Sequence, residues 1–265
     1  MEYLPVKQAK KQILDIGKRM YQKGFVAAND GNISCKIAED VILTTPTGVS
    51  KGFMNEDMLV EMTLGGEILR QGAYAPSSEA KMHIRAYLEN PSIMAVTHAH
   101  PPAATAFAIA GIPLDRPLLT EPIVLLGSVP VAKYATPGTQ EVPDSIAPFC
   151  KTHNAVLLSN HGALTWGKDL LQAFYRLESV EYYAMITMYT ENILGKANYL
   201  SEQQIVPLLK TREMMGNHCD GEPLCSAEET NCMDFMPQCG TVEKYATALD
   251  VLVERIAERV AEKIK

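Results

Sequence analysis

Thr97-His98-Ala99-His100 is the stretch whose residue types and spacing point most directly to chemistry. In an extended strand, side chains two residues apart project to the same face. His98 and His100 can therefore present both imidazoles to one ion. A third imidazole is His161 in Ser159-Asn160-His161-Gly162, directly after an apolar run at 155–158. Three histidines that leave one coordination position open would make a catalytic zinc site. A His-x-His pair also occurs without metal, packed or hydrogen-bonded, and the pair alone leaves both readings open.

Pro76-Ser77-Ser78-Glu79 is the second chemical feature. Two hydroxyls at a helix start, beside free backbone N–H groups, make an anion pocket. Glu79 on that first turn could act as a general acid/base. The alternative is plain capping, with an acidic residue complementing the helix dipole. Asn29-Asp30-Gly31-Asn32-Ile33-Ser34 and Thr45-Pro46-Thr47-Gly48 are turns whose N–H groups could hold phosphate, and each also reads as an ordinary turn. His153 is expected in a solvent-exposed loop. His218 is followed by Cys219, Cys225, Cys232 and Cys239, which lack the close Cys-x2–4-Cys pairs of a structural zinc site.

These residues need elements to position them. Val6, Ala9, Ile13, Ile16 and Met20 recur every three or four residues, which predicts a helix over 6–23, stopped by Gly24. Strands are expected at 33–37, 41–44, 58–63, 93–97, 123–126, 129–132 and 155–158. Helices are expected from Ser77 to Glu89, capped by Ser77 or Ser78, then at 102–110 and 169–194. The alternation predicts a layered α/β domain over 1–217. Residues 218–240, rich in Gly, Pro, Cys, Asn and Glu without a period, read as a linker. Over 241–265, Val242, Tyr245, Leu249, Leu252, Ile256, Val260 and Ile264 form one apolar stripe of a terminal amphipathic helix.

Composition narrows the function classes. The chain has 265 residues, 47% hydrophobic and 21% charged, which excludes a disordered or collagen-like chain. A net charge of −7 argues against nucleic acid as a partner. No apolar run approaches the roughly 18 residues of a membrane span, and residues 1–7 show no signal-peptide apolar region. A cytoplasmic protein is expected, its six cysteines thiols or ligands rather than disulfides.

The order Gly-Asn-Ile-Ser, Thr-Pro-Thr-Gly, Pro-Ser-Ser-Glu, His-Ala-His, Asn-His-Gly resembles the class II aldolase/adducin family over about 6–215, and within it the fuculose phosphate aldolases. The resemblance implies a three-layer α/β/α sandwich with a central, largely antiparallel sheet, and a homotetramer. It implies Zn²⁺ on His98, His100 and His161, Glu79 as the catalytic acid/base, and a phosphate cradle of Gly31, Asn32, Thr47, Gly48, Ser77 and Ser78. His83 matches a histidine common in the family and is taken as structural. The implied reaction cleaves a ketose 1-phosphate, with L-fuculose 1-phosphate leading, to dihydroxyacetone phosphate and an aldehyde such as lactaldehyde. Alternatives are a sugar-phosphate 4-epimerase, a thioribulose-phosphate dehydratase, or a non-catalytic adducin-like interaction module. Two family tyrosines are replaced, by Glu121 and Met215. The tail resembles the encapsulation peptides of bacterial microcompartment cargo, which implies a shell or cargo protein as partner and residence inside such a compartment.

Overall fold

Ala9, Ile13, Ile16 and Met20 of the predicted stripe are fully buried in helix α1 (Val6–Gln22), while Val6 at its first position is exposed. Gly24 ends it with a φ of 70°, a conformation glycine adopts without a Cβ penalty. The computed structural model describes residues 3–217. The linker expected at 218–240, its histidine and cysteines, and the helix expected at 241–265 lie outside the described residues.

Among the described residues eight strands follow: β1 (Asn32–Ala38), β2 (Val41–Thr44), β3 (Val60–Thr63), β4 (Ile68–Arg70), β5 (Ala95–Ala99), β6 (Val131–Ala132), β7 (Ala155–Leu158) and β8 (Gly162–Gly167). They form one sheet in the order β4-β3-β2-β1-β5-β8-β7-β6, antiparallel throughout except between β6 and β7. The remaining α-helices of the described residues are α2 (Ala80–Glu89), α3 (Pro102–Ala110), α4 (Thr120–Leu125), α5 (Glu141–Ile146), α6 (Leu170–Thr187) and α7 (Glu202–Met214).

Strand alternation divides the side chains between two cores. Ala95, Ala99, Leu157 and Ala163 pack with Ile16 of α1, Ala104 of α3 and Phe174 of α6. Val96, Val156, Leu164 and Trp166 pack on the other side with Met82 and Tyr87 of α2 and Val142 and Ile146 of α5. Burying each large side chain is worth about 1.5–3 kcal/mol over leaving it exposed. The result is the expected α/β/α sandwich, with helices on both faces of the sheet and the edge strand β4 left exposed.

Several elements differ from the sequence reading. Residues 123–126 are not a strand: Ile123 and Val124 lie in α4, with Pro122 in its first turn, where its missing N–H costs nothing. A run of four apolar residues carries too little period to separate the two. Helix α2 starts at Ala80, and its N-cap position is Glu79 rather than either serine. Ser77 Oγ instead accepts the Glu79 N–H at 3.3 Å. Strand β5 is shifted to 95–99, so His98 is inside it and His100 just beyond. Helix α6 ends at Thr187 and continues as one π-helical stretch, Met188–Ile193. His153 is half-buried, its ring 5.7 Å edge-on from Phe149. β4, β8, α5 and α7 are additional to the expected elements.

Candidate active site

The centre of the sheet sets the metal-ligand candidates. His98 stands opposite Asn32 of β1 and Leu164 of β8 in the strand register. Its Nδ1–H donates to the Ala163 carbonyl at 2.9 Å, which leaves the Nε2 lone pair free. His100 places its Nδ1 at 3.4 Å from Asp30 Oδ2 and its Nε2 at 3.2 Å from His98 Nε2. With both Nδ1 atoms protonated, two nitrogen lone pairs converge, an arrangement that a cation relieves. His161 arrives from the β7–β8 turn, where Asn160 takes a φ of 57° and turns the chain sharply. One ring nitrogen from each histidine falls within 4.8 Å of the other two.

Electrostatics suit the same reading. Burial, then the neighbouring His161 and His100, push the His98 pKa well below its usual value. Burial also lowers His161, with the Glu79 carboxylate opposing. Neutral imidazoles are the form that ligates metal. The three histidines therefore fit a divalent ion that accepts nitrogen donors, zinc among them.

Glu79 lies against this cluster, with Oε1 at 3.2 Å from His161 Nε2 and Oε2 at 3.5 Å from His98 Nε2. Asn32 Nδ2 donates to Glu79 Oε2 at 2.7 Å and to Ser77 Oγ at 3.3 Å, which fixes the carboxylate. The group opens into a cavity of about 260 Å³. Gly31, Thr47, Ser77, Ser78, Glu79, His100 and His161 line it, as do Asn29, Asp30, Lys51, Pro137 and Gly138. Asn32 and His98 are buried behind that surface.

Gly31 takes a φ of 75°, and a Cβ on it would stand 2.9 Å from the His98 carbonyl oxygen. Gly48 shapes its turn with a φ of 72° but is not among the cavity-lining residues. His83 is fully buried beneath, with Nδ1 2.7 Å from Ser34 Oγ, and burial pushes its pKa down to about 3. Glu121 is an exposed residue of α4 that accepts a hydrogen bond from Thr120, and Met215 is 55% exposed. Neither lines the cavity. Lys51 and the Pro137-Gly138 turn are absent from the sequence reading, although Lys51 follows the Thr-Pro-Thr-Gly turn by only three residues.

The family model for the Class II Aldolase and Adducin N-terminal domain matches residues 11–188. The chain belongs to the class II aldolase and adducin family. It is 29% identical over 204 residues to the 3-oxo-tetronate 4-phosphate decarboxylase of Haemophilus influenzae, covering 75% of this chain and 95% of that protein. It is 30% identical over 213 residues to the 5-deoxy-D-ribulose 1-phosphate aldolase of Bacillus thuringiensis, covering 80% and 98%. Among solved structures, an L-fuculose 1-phosphate aldolase superposes with a TM-score of 0.71 at 30% identity, covering 79% of this chain and 96% of that one. Class II aldolases are metal-dependent, and the histidine group here could hold the ion. The relatives are lyases that differ in substrate, and the chain is a lyase of this family. Among the described residues no helix is long and apolar enough to cross a membrane.

Proposed function

We propose that this enzyme is a zinc-dependent aldolase that cleaves a ketose 1-phosphate, L-fuculose 1-phosphate first among them, to dihydroxyacetone phosphate and an aldehyde. The observation that carries the reading is a carboxylate held against three converging imidazoles at the wall of a hydroxyl-lined cavity. Zinc on His98, His100 and His161 would supply Lewis-acid stabilisation of negative charge developing on the substrate's oxygens.

The chain's own residues do the rest. The hydroxyls of Thr47, Ser77 and Ser78, with the turns at Gly31-Asn32 and Thr47-Gly48, hold the phosphate and so orient the reacting carbon. When the carbon–carbon bond breaks, its electron pair stays on the dihydroxyacetone phosphate part as an enediolate. Glu79 delivers the proton that carbon needs, and in the condensation direction it removes the same proton. Asn32 keeps the Glu79 oxygen aimed while this occurs.

A second reading is supported by the cavity lining. Aldol cleavage must also take a proton from the substrate hydroxyl, and no tyrosine lines the cavity among the described residues. Decarboxylation of 3-oxo-tetronate 4-phosphate needs no such base. Loss of CO2 from that 3-oxo acid leaves the same enediolate, and protonation by Glu79 gives the same dihydroxyacetone phosphate. An assay on a panel of ketose 1-phosphates and on 3-oxo-tetronate 4-phosphate, reading aldehyde and CO2 separately, distinguishes the two. Aldehyde formed in equal amount with dihydroxyacetone phosphate supports the aldolase, CO2 without aldehyde the decarboxylase, and neither product would end both.

The reading extends to a homotetramer, supported by exposed apolar side chains such as Phe53, Ile193 and Leu194. It extends also to residues 241–265 as a segment seated on a microcompartment shell or cargo protein, supported by their apolar stripe.

A further inference from the structure

Lysine is almost never fully buried unless its charge is paired. Lys51 is 1% exposed and sits at the start of a short 3-10 turn, Lys51–Phe53. The close approach of α1 seats it there: a Cβ on Gly17 would stand 2.6 Å from the Lys51 carbonyl oxygen. Its Nζ donates to the Asn29 carbonyl at 2.8 Å and to the Val49 carbonyl at 2.8 Å. Asn29 begins the turn that carries Gly31 and Asn32, and Val49 closes the one that carries Thr47 and Gly48. One ammonium therefore ties together the two turns flanking the cavity, and the third of its N–H groups has no protein acceptor among the described residues.

Charge sharpens the point. The cavity wall includes two carboxylates, Asp30 and Glu79, and Lys51 is its one lysine or arginine among the described residues. A phosphate dianion entering a wall with two carboxylates is repelled unless a cation faces it. We propose that Lys51 is the cationic floor of the phosphate subsite, binding the substrate's phosphate through its remaining N–H while holding both turns in place. This inference rests on the reading of the substrate as a phosphate ester. Burial pulls the Lys51 pKa down to about 8, with Asp30 and then Glu79 opposing, so the side chain remains largely charged at neutral pH.

The test is calorimetric titration of the metal-loaded, full-length enzyme with inorganic phosphate, which needs no turnover. Lys51→Met keeps the buried stem and removes the charge, and Lys51→Arg keeps the charge. The expected result is phosphate binding by the wild type, weakened roughly ten- to hundredfold in Lys51→Met and largely kept in Lys51→Arg. Metal content and melting temperature identify a variant that has failed to fold. In that event Lys51→Gln replaces methionine, compared with arginine at matched stability. In the cleavage assay the loss should fall on KM more than on kcat, a split that general loosening of the site would not produce. Phosphate binding equal to wild type in a folded Met or Gln variant, or no binding by the wild type, overturns the proposal. If cleavage is absent while phosphate binding depends on Lys51, the subsite stands and only the proposed reaction falls.

Discussion

Asn32 Nδ2 donates to Glu79 Oε2 across 2.7 Å, and that bond joins the sheet to the N-terminus of α2. Asn32 also stands opposite His98 in the β1–β5 register, so one strand residue aligns the carboxylate with the imidazoles. Asn32→Ala removes the donor and leaves the carboxylate free to rotate away. A fall in kcat of roughly tenfold or more is expected, the effect of one charge-assisted hydrogen bond. Steady-state kinetics at unchanged metal content measures it, and an unaltered kcat would remove Asn32 from the mechanism.

Glu79 and the histidines should separate cleanly by variant. Glu79→Gln keeps the shape and is expected to retain metal and fold while kcat drops roughly a hundred- to ten-thousandfold. His98→Ala and His161→Ala are expected to lose metal as well. Elemental analysis beside kinetics checks both, and near-normal turnover by Glu79→Gln would contradict the acid/base role.

Gly162 is the first residue of β8 and has no room for a side chain. A Cβ there would meet the Ala99 carbonyl oxygen at 2.4 Å and His100 Cδ2 at 2.6 Å. Gly162→Ala is expected to destabilise by about 1–3 kcal/mol, the usual cost of overpacking, and to displace His100. Denaturant unfolding and metal titration should both register the change.

His153 lies away from the cavity and offers a pH-dependent test of packing. Burial foremost, then the positive charge of Arg212, pushes its pKa down to about 4. The unfolded chain takes up this proton near pH 6.5 while the folded chain refuses it until about pH 4. More protons are bound unfolded across that window, so the contribution to stability is constant above it and is lost as the pH falls through it. His153→Phe should flatten that part of the wild-type stability profile in urea denaturation followed from pH 7 to pH 4.

Much of this organisation is legible in residue types and spacing. The α1 stripe reads directly because a 17-residue helix repeats its period several times. His98 and His100 read as partners because a strand alternates every two residues. The same logic fails for β8: Gly-Ala-Leu-Thr-Trp-Gly is buried on both faces and shows no polar alternation. Residues 123–126 fail for want of length. Lys51 escapes for another reason: residue type marks lysine as a surface group, and its burial against the Asn29 and Val49 carbonyls belongs to the folded arrangement of the turns. Gly48 shows the converse, a turn glycine in a phosphate-like motif whose own place is beside the cavity wall rather than on it.

Carbon–carbon cleavage by this enzyme is proposed to depend on a metal held by His98, His100 and His161. It is tested most directly by following dihydroxyacetone phosphate release from the active phosphorylated substrate before chelation, after it, and on adding zinc back. The expected result is loss of activity on chelation and its return as zinc approaches one ion per chain. Undiminished release from protein shown by elemental analysis to be metal-free would contradict the claim.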